Sequence, residues 1–251
     1  MRQQRMKDLI TNTKKLQSFL DNALTPLVVG LKDEPALAAW EIMNEPEGSV
    51  ISTTHDANPC FDTNAVLANS GAGWAGESQT MEHLLRFFNL HAATIKKVDP
   101  TALVTVGSWS QYASTDAQIT KGTAFFNYYK DACLIAGGGE KSGVLDFYQI
   151  HTYAHSAGLF DHGSPFGVGV VEKSTYALDK PMVVGEFSAM GTRKGATPRS
   201  IQSLFSMALD KQFAGAWDWC LIGHDGNDNE SIADQGMSSI ATNVLVPVDI
   251  K

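Results

Sequence analysis

The sequence predicts an α/β fold of the (β/α)8 barrel type, a parallel sheet wrapped by helices, with about the last five βα units present. Three observations carry that expectation. Short apolar runs alternate with segments of helical periodicity. The runs are apolar throughout, as in strands buried on both faces. Acidic and aromatic residues stand directly after those runs, on the side where such a barrel builds its site.

The first element is a helix. Leu9, Leu16, Leu20, Leu24, Leu27 and Leu31 recur at helical spacings and predict one apolar face running to about Lys32, where Asp33-Glu34-Pro35 stops it. Ala38 to Met43 reads as a strand, and residues 47–78, rich in Gly, Ser, Asn and Thr, as a long loop. Met81, Leu84, Leu85, Phe88, Ala92 and Ile95 mark a second helix, ended by Asp99-Pro100. Ala102 to Val106 is the next strand. Phe125 to Ile135 follows as a helix stopped by Gly137-Gly138-Gly139, and Leu145 to Ile150 as a strand. Pro181 to Val184 and Phe213 to Trp217 are the last two strands, with a helix over Ser200 to Leu209 between them. No residue-level repeat marks a solenoid. Because the chain opens on a helix with no strand before it, residues 1–251 are expected to form one domain, incomplete at the N-terminus.

Composition narrows the function. With 43% hydrophobic and 18% charged residues, the chain can bury a core, which excludes a disordered segment. The net charge of -8 and the absence of a basic stripe exclude a nucleic-acid partner. No apolar run approaches the ~20 residues that cross a bilayer, so no membrane is expected. MRQQRMKDLITNTKKL lacks the apolar stretch of a signal peptide. Cys60, Cys133 and Cys220 include no C-x-x-C pair, which argues against a cysteine metal site; one bridge with one thiol left over is open, and spacing does not choose the pair.

The chemistry lies at the strand ends. Asn44-Glu45-Pro46 follows the strand ending at Met43, and Gly185-Glu186-Phe187 follows Pro181 to Val184. His151-Thr152-Tyr153 and Trp109 follow two further strands, and Trp217 ends the last. On a barrel these residues converge on one pocket. A carboxylate pair is what glycoside hydrolysis needs, and an indole offers a flat apolar face to a sugar ring. Trp74 and Trp109 suit outer sugar platforms or core packing equally, while Trp40 and Trp219 flank the site strands and read as core or as support behind the site. His151, His155 and His162 come with no acidic helix motif and read as loop residues, so no metal and no cofactor is expected. Asp225-x-Asn227-x-Asn229 starts like a calcium loop, but Glu230 and Gly236 occupy its sixth and twelfth positions, and a polar loop is the better reading. His224 and Asp225 in it could reach an outer subsite, and Asn229-Glu230-Ser231 is a glycosylation sequon.

These motifs resemble those of a known family. Trp40-Glu41-Ile42-Met43-Asn44-Glu45-Pro46 and Val184-Gly185-Glu186-Phe187 resemble the strand-four and strand-seven signatures of glycoside hydrolase family 5, of clan A. Ala39 to Val50, Asn58 to Thr63, Gly71 to Gly76 and Leu145 to Tyr153 look like endo-β-1,4-mannanases of invertebrate animals. The resemblance implies retaining, endo-acting hydrolysis of β-1,4-mannosidic bonds in mannan, glucomannan or galactomannan. It implies Glu45 as general acid/base, Glu186 as nucleophile and Asn44 on the substrate 2-hydroxyl. Tyr153 would orient the nucleophile, His151 would support the acid/base, and Trp217 would floor the subsite of the cleaved sugar. It also implies a secreted protein, monomeric at full length, and favours a Cys60–Cys133 bridge with Cys220 unpaired. The family's three earlier strands, with an Arg that steadies the nucleophile, have no counterpart here. An endo-β-1,4-glucanase of the same clan and a catalytically impaired carbohydrate-binding fragment are the alternatives.

Overall fold

The buried positions of the opening helices fall every fourth residue, at Leu16, Leu20, Leu24 and Val28. On a regular α-helix such a stripe would drift by about 40° at each step. The chain absorbs the drift with a wide turn. Helices α1 (Arg2–Thr11) and α2 (Thr13–Phe19) lead into a π turn at Leu20–Leu24 and then α3 (Thr25–Leu31). Asn12 caps α2, its side chain accepting from the Lys15 N–H at 3.0 Å. After the π turn the buried face therefore passes through Val28 instead of the expected Leu27. Val28 is fully buried, while Leu27 is 51% exposed.

The structure, a computed structural model, describes residues 2–154, 159–188 and 199–219, with Gln235 and Ser238. His155, Cys220, His224, Asp225 and the Asn229 sequon lie outside the described residues. Two compact units are present, one built on Met1–Thr115 with Ala124–Tyr148, the other on Asp116–Thr123 with Gln149–Lys251.

In the first unit, β1 (Trp40–Asn44) pairs in parallel with β2 (Val104–Gly107). Trp40 aligns with Val104 and Asn44 with Gly107, and the register slips between Glu41 and Asn44. The long loop after β1 holds a 3-10 turn at Pro46–Gly48 and a short helix, α4 (Asn64–Leu67). Helix α5 (Met81–Val98) starts at a Thr80 cap and buries Met81, Leu84, Leu85, Phe88, Ala92 and Ile95 as expected, with Phe87 besides. Truncating a side chain as buried as Phe88 would cost about 3–5 kcal/mol. Lys96, in the last turn of α5, reaches Asp146 at 2.9 Å, and the same carboxylate accepts from the Val104 N–H at 2.8 Å.

Helix α6 (Asp131–Gly138) starts later than the periodicity from Phe125 predicts. The N–H groups of Phe126 and Tyr128 donate to the carbonyls of Tyr112 and Ala113, which holds this stretch out of the helix. The glycines that end α6 are also its contact with α5. A Cβ at Gly137 would come 2.7 Å from Leu85 Cβ, and one at Gly138 would come 2.1 Å from Asn89 Oδ1. Gly139 then closes the helix at φ 87°. Cys60 and Cys133 form the disulfide that the resemblance favours, with their Cα atoms 5.2 Å apart.

In the second unit, β4 (Met182–Ser188) lies between β3 (Tyr148–His151) and β5 (Gly215–Trp219), and β4 and β5 run parallel. Val184 aligns with Ala216 and Phe187 with Asp218, so β4 has one residue more than β5 over this stretch. Helix α7 (Ile201–Asp210) begins at a Ser200 cap and buries Ile201, Leu204, Phe205 and Ala208. Phe187 meets Phe166 and Phe205 edge-on, with centroids 5.4 and 5.0 Å apart. Two strands run further than their apolar runs. Glu186 lies inside β4 instead of after it, and Trp217 is in mid-strand instead of at the end.

Candidate active site

In the first unit, the end of β1 is shaped through its main chain. Asn44 is the exposed last residue of the strand. Glu45 has φ 43° and ψ 58°, in the left-handed region, directly before Pro46. A non-glycine residue in that region, with a proline after it, stores about 1–3 kcal/mol of strain. Neighbouring groups hold it there. The Glu45 N–H donates to the Gly107 carbonyl at 2.7 Å, and its own carbonyl accepts from the Gly48 N–H at 3.0 Å.

Glu47, two residues on, has no exposed surface. Its Oε1 accepts from Tyr129 Oη at 2.5 Å and Ser108 Oγ at 2.7 Å, and its Oε2 accepts from the Trp109 N–H at 3.1 Å. Burial pushes the carboxyl up from its ordinary value against these hydrogen bonds, which pull it down. Sequence reasoning missed this residue. A second acidic residue in N-E-P-E looks like loop polarity, and nothing in one sequence links it to Ser108 or Tyr129.

Trp74 and Trp109 come together, with ring centroids 4.7 Å apart and planes tilted by 46°. Trp74 is 48% exposed, so the core reading fails for it, whereas Trp109 is half-buried.

In the second unit, Glu186 stands in the irregular stretch of β4, an arrangement that re-aims side chains. Tyr153 Oη donates to its Oε1, and His151 Nδ1 lies 3.2 Å from its Oε2. The Glu186 carbonyl accepts from the Thr152 N–H at 2.8 Å, which ties the end of β3 to β4. A Cβ at Gly185 would fall 2.1 Å from Gln149 Oε1, so a side chain there would displace the Gln149 amide. Trp217 is 45% exposed on β5, across the ladder from Gly185 and Glu186. Trp219 is 44% exposed, which excludes the core alternative for it, while Trp40 is half-buried. His162 stands 3.3 Å from Thr120 Oγ1.

A carboxylate whose two oxygens are each engaged by a different side chain is oriented and kept ready to react, the condition a glycosidase nucleophile needs. Comparison with known proteins gives the following similarities. The chain is 45% identical over 215 residues to the mannan endo-1,4-β-mannosidase of Mytilus edulis, covering 86% of this chain and 55% of that one. It is 39% identical over 237 residues to the enzyme of that name from Cryptopygus antarcticus, covering 94% and 58%. Among solved structures, the endo-1,4-β-mannanase of Eisenia fetida superposes with a TM-score of 0.83 at 45% identity, over 94% of this chain and 62% of that one. No family model matches the chain.

In fold the chain is of the (β/α)8 type. In sequence it is a homologue of the endo-β-1,4-mannanases, as the resemblance implies. It spans about half the length of the curated relatives it matches, 55% and 58%.

Proposed function

We propose that this chain is part of a retaining, endo-acting β-1,4-mannanase, with Glu186 as nucleophile and Glu45 as general acid/base. The observation that carries the reading is Glu186 itself, a strand-borne carboxylate engaged by Tyr153 on one oxygen and His151 on the other. In the first step the Glu186 carboxylate bonds to the anomeric carbon as the glycosidic C–O bond breaks, and Glu45 gives its proton to the departing oxygen. In the second, Glu45 takes a proton from water, whose oxygen displaces Glu186 and restores the starting configuration. Asn44 would meet the substrate 2-hydroxyl, and Trp217 would underlie the cleaved sugar. The substrate class is β-mannan, including glucomannan and galactomannan. Residues 1–251 are proposed as part of a single catalytic domain of a secreted protein, monomeric at full length. Among the described residues no helix is long and apolar enough to cross a membrane.

The test is release of reducing ends from β-1,4-mannan, with the anomer of the first product followed by NMR. Glu186→Ala should lower turnover by about 10⁴-fold or more, since no covalent intermediate forms. Glu45→Ala should slow both steps, and least for substrates whose leaving group needs no proton. Cleavage of cellulose with mannan left intact would overturn the substrate class. Full turnover by the Glu186→Ala variant would overturn the assignment of the nucleophile.

A further inference from the structure

We propose that Glu47 is a positioning residue that fixes the Trp74–Trp109 indole pair as a saccharide platform; the saccharide rests on the mannanase reading above. The argument begins with which atoms it holds. The Glu47 carboxylate takes the main-chain N–H of Trp109, at 3.1 Å. Its carbonyl takes the Gly73 N–H at 2.9 Å, and the next carbonyl, of Gly48, takes the Ala75 N–H at 2.8 Å. Trp74 is thus held from both sides by the Glu47-Gly48 segment, and Trp109 by the Glu47 side chain.

Gly48 makes the fit close. A Cβ there would lie 2.9 Å from the Trp74 ring, so the indole rests on bare main chain. The outcome is two indoles 4.7 Å apart, one of them 48% exposed, secured by a group that is itself wholly buried.

The cost of that anchor argues for a role beyond filling space. A buried carboxylate is expensive unless every lone pair is used, and an apolar side chain of equal size is often as stable. Here the donors are all supplied. Ser114 Oγ donates to Ser108 Oγ at 2.6 Å, Ser108 donates on to Oε1, and Tyr129 joins it there. What an apolar residue could not do is accept the Trp109 N–H, which has a fixed direction. A glutamine could, because its carbonyl oxygen can face Trp109 while its amide donates to the two hydroxyl oxygens.

The experiment compares Glu47→Met and Glu47→Gln in the 251-residue chain. Two readouts are used: the circular-dichroism couplet of the paired indoles and the affinity for mannohexaose. Glu47→Met should lose the couplet and bind mannohexaose about ten-fold more weakly, whereas Glu47→Gln should retain both. A couplet and affinity unchanged in Glu47→Met would overturn the proposal, as would a Glu47→Gln variant that folds but loses both. If Glu47→Met does not fold, hydrogen exchange on the unmodified chain decides. The Trp109 amide should exchange at least about a hundred-fold more slowly than an exposed amide, and free exchange would overturn the anchor. Failure of the unmodified chain to bind mannohexaose would count against the mannanase reading, and the couplet would still report on Glu47.

Discussion

Strands β1 and β4 each carry one residue too many for their partner near the C-terminal end, and each delivers a candidate glutamate there. They fix it by different means. On β4 the side chain is held, with Glu186 contacted by Tyr153 and His151 on separate oxygens. On β1 the main chain is held, with Glu45 kept left-handed by Gly107 and Gly48, and the triple set of donors goes to Glu47. The difference matches the proposed chemistry. A nucleophile works in one charge state and gains from an immobile carboxylate. An acid/base passes a proton twice in each cycle and gains from a defined origin for its side chain.

The units also differ in their reinforcement, and the largest effects test that. The Cys60–Cys133 bridge joins two residues of the first unit that are 73 apart in sequence, and closing so long a loop in the unfolded chain stabilises the fold by about 4 kcal/mol. Replacing both cysteines by alanine should lower the denaturation midpoint of the first unit accordingly, as followed by hydrogen exchange of the α5 and α6 amides. An unchanged midpoint would remove the bridge from the comparison.

His91, buried in α5, is next. Burial holds its pKa down from 6.5 to about 4, against the opposing hydrogen bond of Nδ1 with the Phe87 carbonyl, 2.7 Å away. Below pH 6.5 the unfolded chain takes up a proton that the folded one refuses until about pH 4. Stability should therefore be full above pH 6.5 and fall by about 3 kcal/mol as the pH drops to 4. Urea midpoints measured from pH 7 to pH 4 check it, and His91→Gln should flatten the slope.

The clamp on β4 comes third. Tyr153→Phe removes a hydrogen bond to a carboxylate while preserving the ring. Turnover of mannan should drop about ten- to a hundred-fold with little change in melting temperature. Equal losses in activity and stability would make Tyr153 a packing residue.

Much of this was legible in the sequence because it depends on short-range pattern. The helix stops at Asp33-Glu34-Pro35 and Gly139, the face of α5 and the order of the strands follow from local spacing and turn chemistry. What was not legible depends on distant partners. The π turn exchanges Leu27 for Val28, and nothing near Leu20 announces it. Gly185-Glu186 interrupts an apolar run, so the run seems to end at Val184, although β4 continues with an added residue. Phe125 to Lys130 has helical spacing but spends the N–H groups of Phe126 and Tyr128 on Tyr112 and Ala113. Glu45 and Glu186 could be named as candidates because each sits in a short motif directly after an apolar run. Glu47 was missed because its meaning lies in Ser108, Trp109 and Tyr129, far away in the chain.

The smallest effect offers the most closely matched comparison. Thr80 caps α5 in the first unit and Ser200 caps α7 in the second, with nearly the same backbone angles, φ -77° and ψ 155° against φ -73° and ψ 160°. Each hydroxyl oxygen accepts from the N–H three residues on, at 3.2 Å in both. Geometry alone would make the caps equal, and loss of either should cost about 1 kcal/mol. Their surroundings differ, since the Thr80 bond is partly buried and the Ser200 bond is exposed. Water can replace the lost partner of Ser203 more readily than that of His83, so its N–H is less costly to leave unpaired. Thr80→Ala should therefore destabilise by up to about 2 kcal/mol and Ser200→Ala by about 0.5 kcal/mol. Melting of the two variants side by side checks the order; a larger loss at Ser200 would show that the strength of these caps is set by something other than access to water.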